Sequence, residues 1–266
     1  MRVSGLRWTT FRLPLRTAFA TASGALTCRE GLVLRLETDR GIVGLGEASP
    51  LPERGGGSLP AALAVLDDVG AGLVGRELEE VGVALDGVDQ KHSALAAVRC
   101  ALDVAVCDAM AKAAGVSVAE LLTGKAAPSV PVNTTIGAPT TAEACDQAAA
   151  AQAAGFGCVK LKVGMARSVE EEWQRVAAVR DALGPGVRLR VDANGAWGVE
   201  QAVGTIRALE AYDLEFVEQP VAPGDPGALR RVREAVETPI AADEEVASYE
   251  VAQRVLEMEV AQVLVL

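Results

Sequence analysis

From about residue 130 onward, short β-prone runs recur at regular intervals, and this spacing constrains the fold more than any other feature of the chain. The six runs are VPVNTTIG (130–137), CVKLKVG (158–164), VRLRVDANG (187–195), LEFVEQP (214–220), PIAADEE (239–245) and AQVLVL (261–266). Sequence with helical periodicity separates the later runs, as in residues 168–184, where Ser168 and Glu171 have the spacing of a capping box. Strands that alternate with helices form parallel βαβ units, so the pattern predicts either a (β/α) barrel or a doubly wound sheet. A barrel is favoured because polar residues recur at the ends of successive strands.

The first 125 residues have a different pattern. Residues 32–50, LVLRLETDRGIVGLGEASP, predict a β-hairpin with TDRG as its turn. After the glycine-rich stretch 53–58, helical sequence extends over roughly 59–122 and is densest in alanine between 93 and 115. We therefore expect an α/β protein with two domains, an α+β domain at 1–125 and a barrel domain at 126–266.

Lys160 and Lys162 lie two residues apart within the second of the β-prone runs. Side chains alternate between the two faces of a strand, so both ammonium groups point the same way. Like charges at this separation repel each other unless another group compensates for them or uses them. From this run alone, a solvated strand face that carries two lysines remains an alternative.

Three acidic residues end the following runs in the same phase. Asp192, Glu218 and Asp243 follow Lys162 at intervals of 30, 26 and 25 residues, each the length of one βα unit. Carboxylates that converge at a barrel mouth repel each other without a cation, and ligation by oxygen atoms alone suits Mg²⁺, with Mn²⁺ as an alternative. Each acid also has an ordinary explanation, as a turn residue, a helix N-terminus or a strand end. Their common phase favours a metal site.

Lysines beside such a site indicate proton abstraction next to a metal-bound carboxylate. Free lysine, with a pKa of about 10.4, is a poor base near neutral pH. A neighbouring ammonium group and a divalent cation both lower that pKa. One lysine would then accept the proton while the other keeps its charge and stabilises the developing anion.

Composition excludes several other classes of function. The net charge of −11 disfavours nucleic acid and anionic membranes as partners. His92 is the only histidine, which largely excludes Ser–His catalysis and multi-histidine metal sites, and we interpret it as a surface or capping residue. No run approaches the roughly 18 uninterrupted apolar residues of a membrane span. Five cysteines without CxxC spacing and an N-terminus without a secretory signal predict a cytoplasmic protein.

Taken together, these motifs resemble the enolase superfamily, within its muconate-lactonizing subgroup, and most closely its o-succinylbenzoate synthases of menaquinone biosynthesis. The resemblance covers nearly the whole chain and rests on these segments in this order: REGLVLRLET, GLGEASPLP, VRCALDVAVCDAMAKAAG, KLK, RVDANGAW, EFVEQP and AADEE. It implies an enolase-type (β/α) barrel preceded by an α+β capping domain. The loops 21–31 and 49–58 would close over the substrate.

The resemblance also implies a role for each site residue. Lys162 would be the acid/base and Lys160 its electrostatic neighbour. Mg²⁺ would be bound by Asp192, Glu218 and Asp243. Asn194 and Glu244 would stand beside these ligands and support them without binding the metal themselves.

One feature departs from the family's pattern. The family places a second active-site lysine just after the strand that VLVL resembles, whereas the sequence stops at Leu266. Six strands cannot close an eight-stranded barrel, so we expect a barrel truncated after the sixth strand. Either the sequence is a fragment of a longer product, which we favour, or something else covers the open edge.

Three functions stay open at this point. The first is that of a carbon–oxygen lyase that dehydrates a cyclohexadiene carboxylate to o-succinylbenzoate. The second is racemisation or epimerisation of N-acylamino acids or dipeptides, which normally needs a base on each face of the α-carbon. The third is an inactive, truncated homologue that binds a ligand or assembles with a partner. The expected partner is a small-molecule carboxylate, and a homo-oligomer is possible.

Overall fold

The computed structural model describes residues 1–21, 24–52, 56–86, 94–246 and 248–266. They form two compact units, Met1–Ser129 and Val130–Leu266. His92 lies outside the described residues, as do parts of the segments 21–31 and 49–58 that we expected to close over a substrate. None of the helices within the described ranges is both long enough and apolar enough to cross a membrane.

The first unit contains an antiparallel sheet followed by helices. Its three strands are β1 (Val3–Thr21), β2 (Gly24–Thr38) and β3 (Val43–Ala48), in the order β1-β2-β3. Its helices are α1 (Leu59–Leu73), α2 (Val81–Asp86), α3 (Leu95–Ala114) and α4 (Val118–Thr123). The hairpin predicted at 32–50 is formed by β2 and β3, in which Leu32 pairs with Ala48 and Glu37 with Val43. β1 was not predicted from the sequence.

Small residues allow α3 to pack closely on β3. A Cβ atom on Gly46 would lie 1.8 Å from the Ala101 carbonyl oxygen, and one on Gly44 would lie 1.9 Å from that of Ala105. Ala101 and Ala105 are themselves completely buried. The backbones of α3 and β3 therefore approach each other closely, and the contact between them does not depend on large side chains. This agrees with the composition of the chain, in which only 3 % of residues are aromatic.

The second unit is a parallel sheet whose strands alternate with helices. The strands are β4 (Thr134–Ile136), β5 (Cys158–Lys162), β6 (Arg188–Asp192), β7 (Leu214–Glu218), β8 (Ile240–Ala242) and β9 (Val263–Leu264). The helices are α5 (Thr141–Ala153), α6 (Val169–Leu183), α7 (Val199–Leu209), α8 (Pro226–Ala235) and α9 (Tyr249–Glu257). Neighbouring strands pair in chain order from β4 to β9, and every pair is parallel. A doubly wound sheet reverses its strand order, so this order confirms the prediction of a partial barrel.

Alternation along β5 and β6 separates the apolar core from the polar face. Val159 and Leu161 on β5 and Val191 on β6 are completely buried and belong to one hydrophobic cluster with Val176 and Val179 of α6. The intervening residues Lys160 and Lys162 point to the opposite face, as the period of a strand requires. The Ser168 side chain caps α6 by accepting a hydrogen bond from the Glu171 backbone N–H, which is the serine half of the predicted capping box. The Glu171 side chain accepts instead from the backbone N–H of Arg167.

Candidate active site

The polar strand ends form a row at the carboxyl edge of the parallel sheet. Lys162 pairs in register with Asp192, and Asp192 pairs with Glu218. Glu218 pairs in turn with Ala241, and Asp243 follows two residues later, just beyond the end of β8. Lys162, Asp192 and Glu218 therefore occupy paired positions on successive strands, whereas Asp243 lies two residues beyond the residue that pairs with Glu218.

The two lysines contact two of the three acids directly. Lys160 Nζ lies 2.9 Å from Glu218 Oε1 and 3.1 Å from Asp192 Oδ2. Lys162 Nζ lies 2.5 Å from the same Asp192 oxygen and 2.7 Å from Asn194 Oδ1. The carboxylate side chains are almost fully buried, at 1 % exposure for Asp192 and 2 % for Glu218. The lysines are partly exposed, so a molecule from solvent can reach them.

Asn194 connects Lys162 to the last acidic segment. Its side-chain Nδ2 donates to Glu244 Oε1 at 3.0 Å, and its backbone N–H donates to Asp192 Oδ1 at 2.9 Å. Its φ of 45° lies in the left-handed region, which asparagine tolerates better than most residues. The structure thus brings together Lys162, Asp192, Asn194 and Glu244.

Gln219 holds the backbone that carries Asp243, a role that the sequence reasoning missed. This glutamine is completely buried. Its side-chain oxygen accepts hydrogen bonds from the backbone N–H groups of Asp243 and Glu245, at 3.0 and 3.3 Å. The only signal in the sequence was a polar residue directly after Glu218 in a strand that should be buried.

Burial and neighbouring charges shift the proton affinities within this group. Burial raises the pKa of Glu218 to about 7, and the adjacent Asp192 carboxylate adds to the rise. Burial also disfavours the charged form of Asp192, but the hydrogen bond and charge of Lys162 outweigh it and lower the pKa of Asp192. Burial opposes the charge of Lys160, but the hydrogen bond to Glu218 and the charges of Asp192 and Glu218 together outweigh it and raise the pKa of that lysine. Lys160 therefore remains an ammonium group.

The oxygen atoms of these acids are the type of ligand that a divalent cation prefers, although their present arrangement does not form a metal site. Within the described ranges, no three histidine, cysteine, aspartate or glutamate side chains lie close enough together to hold a metal ion. Asp192 and Glu218 share the Lys160 ammonium group instead. They are nonetheless hard oxygen donors that are buried side by side, and hard oxygen donors suit Mg²⁺. Ligation of Mg²⁺ by these two acids and Asp243 stays a prediction.

Two buried charged residues of α6 lie next to the end of β5. Glu172 is 3 % exposed and Arg175 is 6 % exposed. Both residues line, together with Lys162 and Met165, a cavity of about 270 Å³. The sequence reasoning did not single them out, because a charged residue on an amphipathic helix usually faces solvent.

Comparison with known proteins identifies the family. Residues 5–123 match the family model described as the mandelate racemase / muconate lactonizing enzyme N-terminal domain. Residues 143–266 match the model described as enolase C-terminal domain-like. The chain belongs to the enolase superfamily.

Individual members of the enolase superfamily resemble different parts of the chain. The D-Ala-D/L-Ala epimerase of Cytophaga hutchinsonii is 29 % identical over 248 residues, which cover 92 % of this chain and 66 % of the epimerase. The o-succinylbenzoate synthase of Thermobifida fusca is 46 % identical over 140 residues, which cover 52 % of this chain and 42 % of the synthase. The chain thus spans about two thirds of the length of a relative that it matches across both units.

A solved structure adds a similar fold with known ligands. The dipeptide epimerase from Enterococcus faecalis V583, complexed with Mg and the dipeptide L-Leu-L-Tyr, is 28 % identical and has a TM-score of 0.89. The superposition covers 99 % of this chain and 74 % of the epimerase.

Proposed function

We propose that the protein is a Mg²⁺-dependent enzyme in which Lys162 removes the proton α to the carboxylate of a small-molecule substrate. The single observation that carries this proposal is the row of Lys162, Asp192 and Glu218 at the carboxyl edge of the sheet. Membership of the enolase superfamily and the magnesium bound by a structurally similar epimerase support the choice of metal.

Each residue of the group has a distinct task in this proposal. Lys162 Nζ accepts the α-proton, and its hydrogen bonds to Asp192 and Asn194 fix its position beforehand. Lys160 keeps its charge and stabilises the negative charge that develops on the substrate carboxylate.

The acids and their neighbours would hold the metal. Asp192, Glu218 and Asp243 supply the oxygen ligands, while Asn194 and Glu244 orient them. When bound there, Mg²⁺ would neutralise the substrate carboxylate and so make the α C–H bond more acidic.

The specific reaction we propose is the dehydration that forms o-succinylbenzoate, a carbon–oxygen lyase reaction of menaquinone biosynthesis. Lys162 takes the α-proton, the new carbon–carbon double bond forms, and the hydroxyl group leaves as water with the proton that Lys162 returns. One base on one face of the substrate is enough for such a syn elimination. The higher identity of the synthase relative supports this choice, although it extends over only 52 % of this chain.

Epimerisation of a dipeptide or racemisation of an N-acylamino acid is the second candidate. Its support is that epimerase relatives match 92 % of the chain rather than half of it. The reaction needs a second base on the opposite face of the α-carbon, in addition to Lys162.

An assay of both substrate classes separates these candidates. The chain is incubated with the cyclohexadiene carboxylate, an N-succinylamino acid or a dipeptide, each with Mg²⁺ or with EDTA. The synthase proposal predicts Mg²⁺-dependent formation of o-succinylbenzoate and a loss of about 10²- to 10⁴-fold in Lys162→Ala. The exposed Lys125 provides the matched control, since Lys125→Ala should leave the rate unchanged.

Each contrary result has a defined meaning. Epimerisation without dehydration supports the second candidate. Full dehydration activity in Lys162→Ala contradicts the assignment of the base. Binding of substrate without turnover of any of the three supports an inactive homologue.

A further inference from the structure

Glu172 and Arg175 are charged groups that α6 buries beside the candidate base. Burial raises the pKa of Glu172 and lowers the pKa of Arg175, so the protein bears a cost for keeping each of them charged. Within the described part of the chain, Arg175 Nε is buried without a hydrogen-bond partner. If these residues served only to pack α6 on the sheet, apolar side chains would do so without the free-energy cost of burying charged groups.

Arg175 binds the backbone at the ends of two neighbouring strands. Its guanidinium group donates to the carbonyl oxygens of Ala138 at 2.6 Å and Pro139 at 3.1 Å, in the segment after β4. It also lies 3.5 Å from the carbonyl oxygen of Lys162, the last residue of β5. One side chain on α6 thus connects the backbone of the candidate base to the adjacent strand end.

Glu172 holds the turn that follows the same lysine. Its Oε2 accepts a hydrogen bond of 2.7 Å from the backbone N–H of Gly164. Gly164 has a φ of +86°, and a Cβ atom there would lie 2.6 Å from Ala196 Cβ. The turn after β5 is therefore pressed against the segment after β6, which carries Asn194, the hydrogen-bond partner of Lys162.

We propose that Glu172 and Arg175 are positioning residues that fix Lys162 in its place between Asp192 and Asn194. Arg175 holds the Lys162 backbone from the β4 side, and Glu172 holds the following turn against the β6 side. This inference rests on the proposed function of Lys162 for its effect on catalysis, but not for its effect on the lysine's position.

A matched arginine on the same helix provides the control. Arg180 is also partly buried, and its guanidinium group also donates to backbone carbonyls, those of Tyr212, Gly184, Val187 and Asp213. These contacts lie at the C-terminal end of α6, away from Lys162. Arg180→Met therefore removes the same kind of interaction from the same helix without touching the strand ends of the candidate site.

The test compares Arg175→Met, Glu172→Met and Arg180→Met in two measurements. In the first, kcat should fall by on the order of 10²-fold in Arg175→Met with little change in KM, since a displacement of about 1 Å can cost that much. Arg180→Met should retain wild-type kcat. Arg175→Lys, which can still donate to a carbonyl, should recover part of the loss.

The second measurement needs no substrate. Brief acetylation with acetic anhydride, followed by peptide mass spectrometry, gives the labelling ratio of Lys162 to Lys160, two lysines of similar exposure on one strand. The ratio should rise severalfold in Arg175→Met and Glu172→Met and stay at the wild-type value in Arg180→Met. If Arg175→Met does not fold, Arg175→Lys and Glu172→Met decide the matter by the same ratio.

The two measurements separate failure of the inference from failure of the proposed function. An unchanged labelling ratio in both Arg175 and Glu172 variants, or an equal change in Arg180→Met, overturns the positioning role. A wild-type protein without turnover but with the expected changes in labelling overturns only the proposed reaction.

Discussion

Asn194 makes a prediction at the scale of a single residue. Its side chain accepts a hydrogen bond from Lys162 and donates one to Glu244, so Asn194→Ala removes both contacts. Loss of such a supporting residue typically costs 10- to 100-fold in activity, and we expect a fall of about that size in kcat/KM.

Asn133→Ala is the matched control for this prediction. Asn133 accepts a hydrogen bond of 3.3 Å from Arg190 Nη1 and lies before β4, not at a strand end of the candidate site. Steady-state kinetics should show wild-type activity for this variant. An equal loss in both variants would mean that Asn194 matters only for folding.

Glu172 makes a prediction about pH. Burial raises its pKa in the folded protein, so the folded state retains the proton to higher pH than the unfolded chain does. The stability that this group contributes is complete below the unfolded pKa of roughly 4.3 and is lost as pH rises through the folded pKa. Glu172→Gln does not titrate.

Urea unfolding at a series of pH values tests whether the contribution of Glu172 to stability falls as pH rises. The free energy of unfolding of the wild type, minus that of Glu172→Gln, should decrease as pH rises. A difference that increases with pH would show that Glu172 is stabilised as a carboxylate instead.

At the scale of elements, the close packing of α3 on β3 predicts a sensitive glycine. Gly46→Ala would place a Cβ atom 1.8 Å from a backbone oxygen, which cannot move as a side chain can. We expect a loss of about 1–3 kcal/mol or more in the free energy of unfolding, measured by urea denaturation. Gly72→Ala in α1, where a Cβ atom meets nothing within 4 Å, should leave stability unchanged or slightly higher. Similar values for both would contradict the packing argument.

The elements also show how far the sequence could predict the structure. All six β-prone runs contain a strand of the parallel sheet, because buried parallel strands are short and strongly apolar. β1 could not be found in this way, since its 19 residues mix polar and apolar side chains and include Pro14. The pairing of Lys162 with Asp192 could be predicted from their separation of one βα unit, because adjacent parallel strands place equivalent residues side by side.

Other parts of the site depend on tertiary contacts that a sequence does not display. Glu172, Arg175 and Gln219 are polar residues in unremarkable local patterns, and only the folded chain shows that they are buried. Similarly, the regular spacing of Asp192, Glu218 and Asp243 along the chain predicted that the three acids converge. In the structure, the ammonium group of Lys160 lies between Asp192 and Glu218.

At the scale of the whole molecule, metal binding should stabilise the fold. A ligand at 100 times its Kd adds about 2.7 kcal/mol to the free energy of unfolding. Mg²⁺ should therefore raise the melting temperature of the wild type relative to EDTA, and Asp192→Asn should abolish the rise. The exposed Asp67 in the first unit offers a control, since Asp67→Asn should keep it. The same Mg²⁺ effect in Asp192→Asn would place the metal elsewhere.

The account's central claim is that Lys162 removes the α-proton of a carboxylate substrate, and loss of that proton can be measured directly. Proton NMR in deuterium oxide follows the α-proton signal of the cyclohexadiene carboxylate with Mg²⁺ present. We predict that the wild type removes the signal, that Lys160→Ala removes it more slowly, and that Lys162→Ala does not remove it above the uncatalysed rate. Removal of the signal by Lys162→Ala at the wild-type rate would contradict the claim.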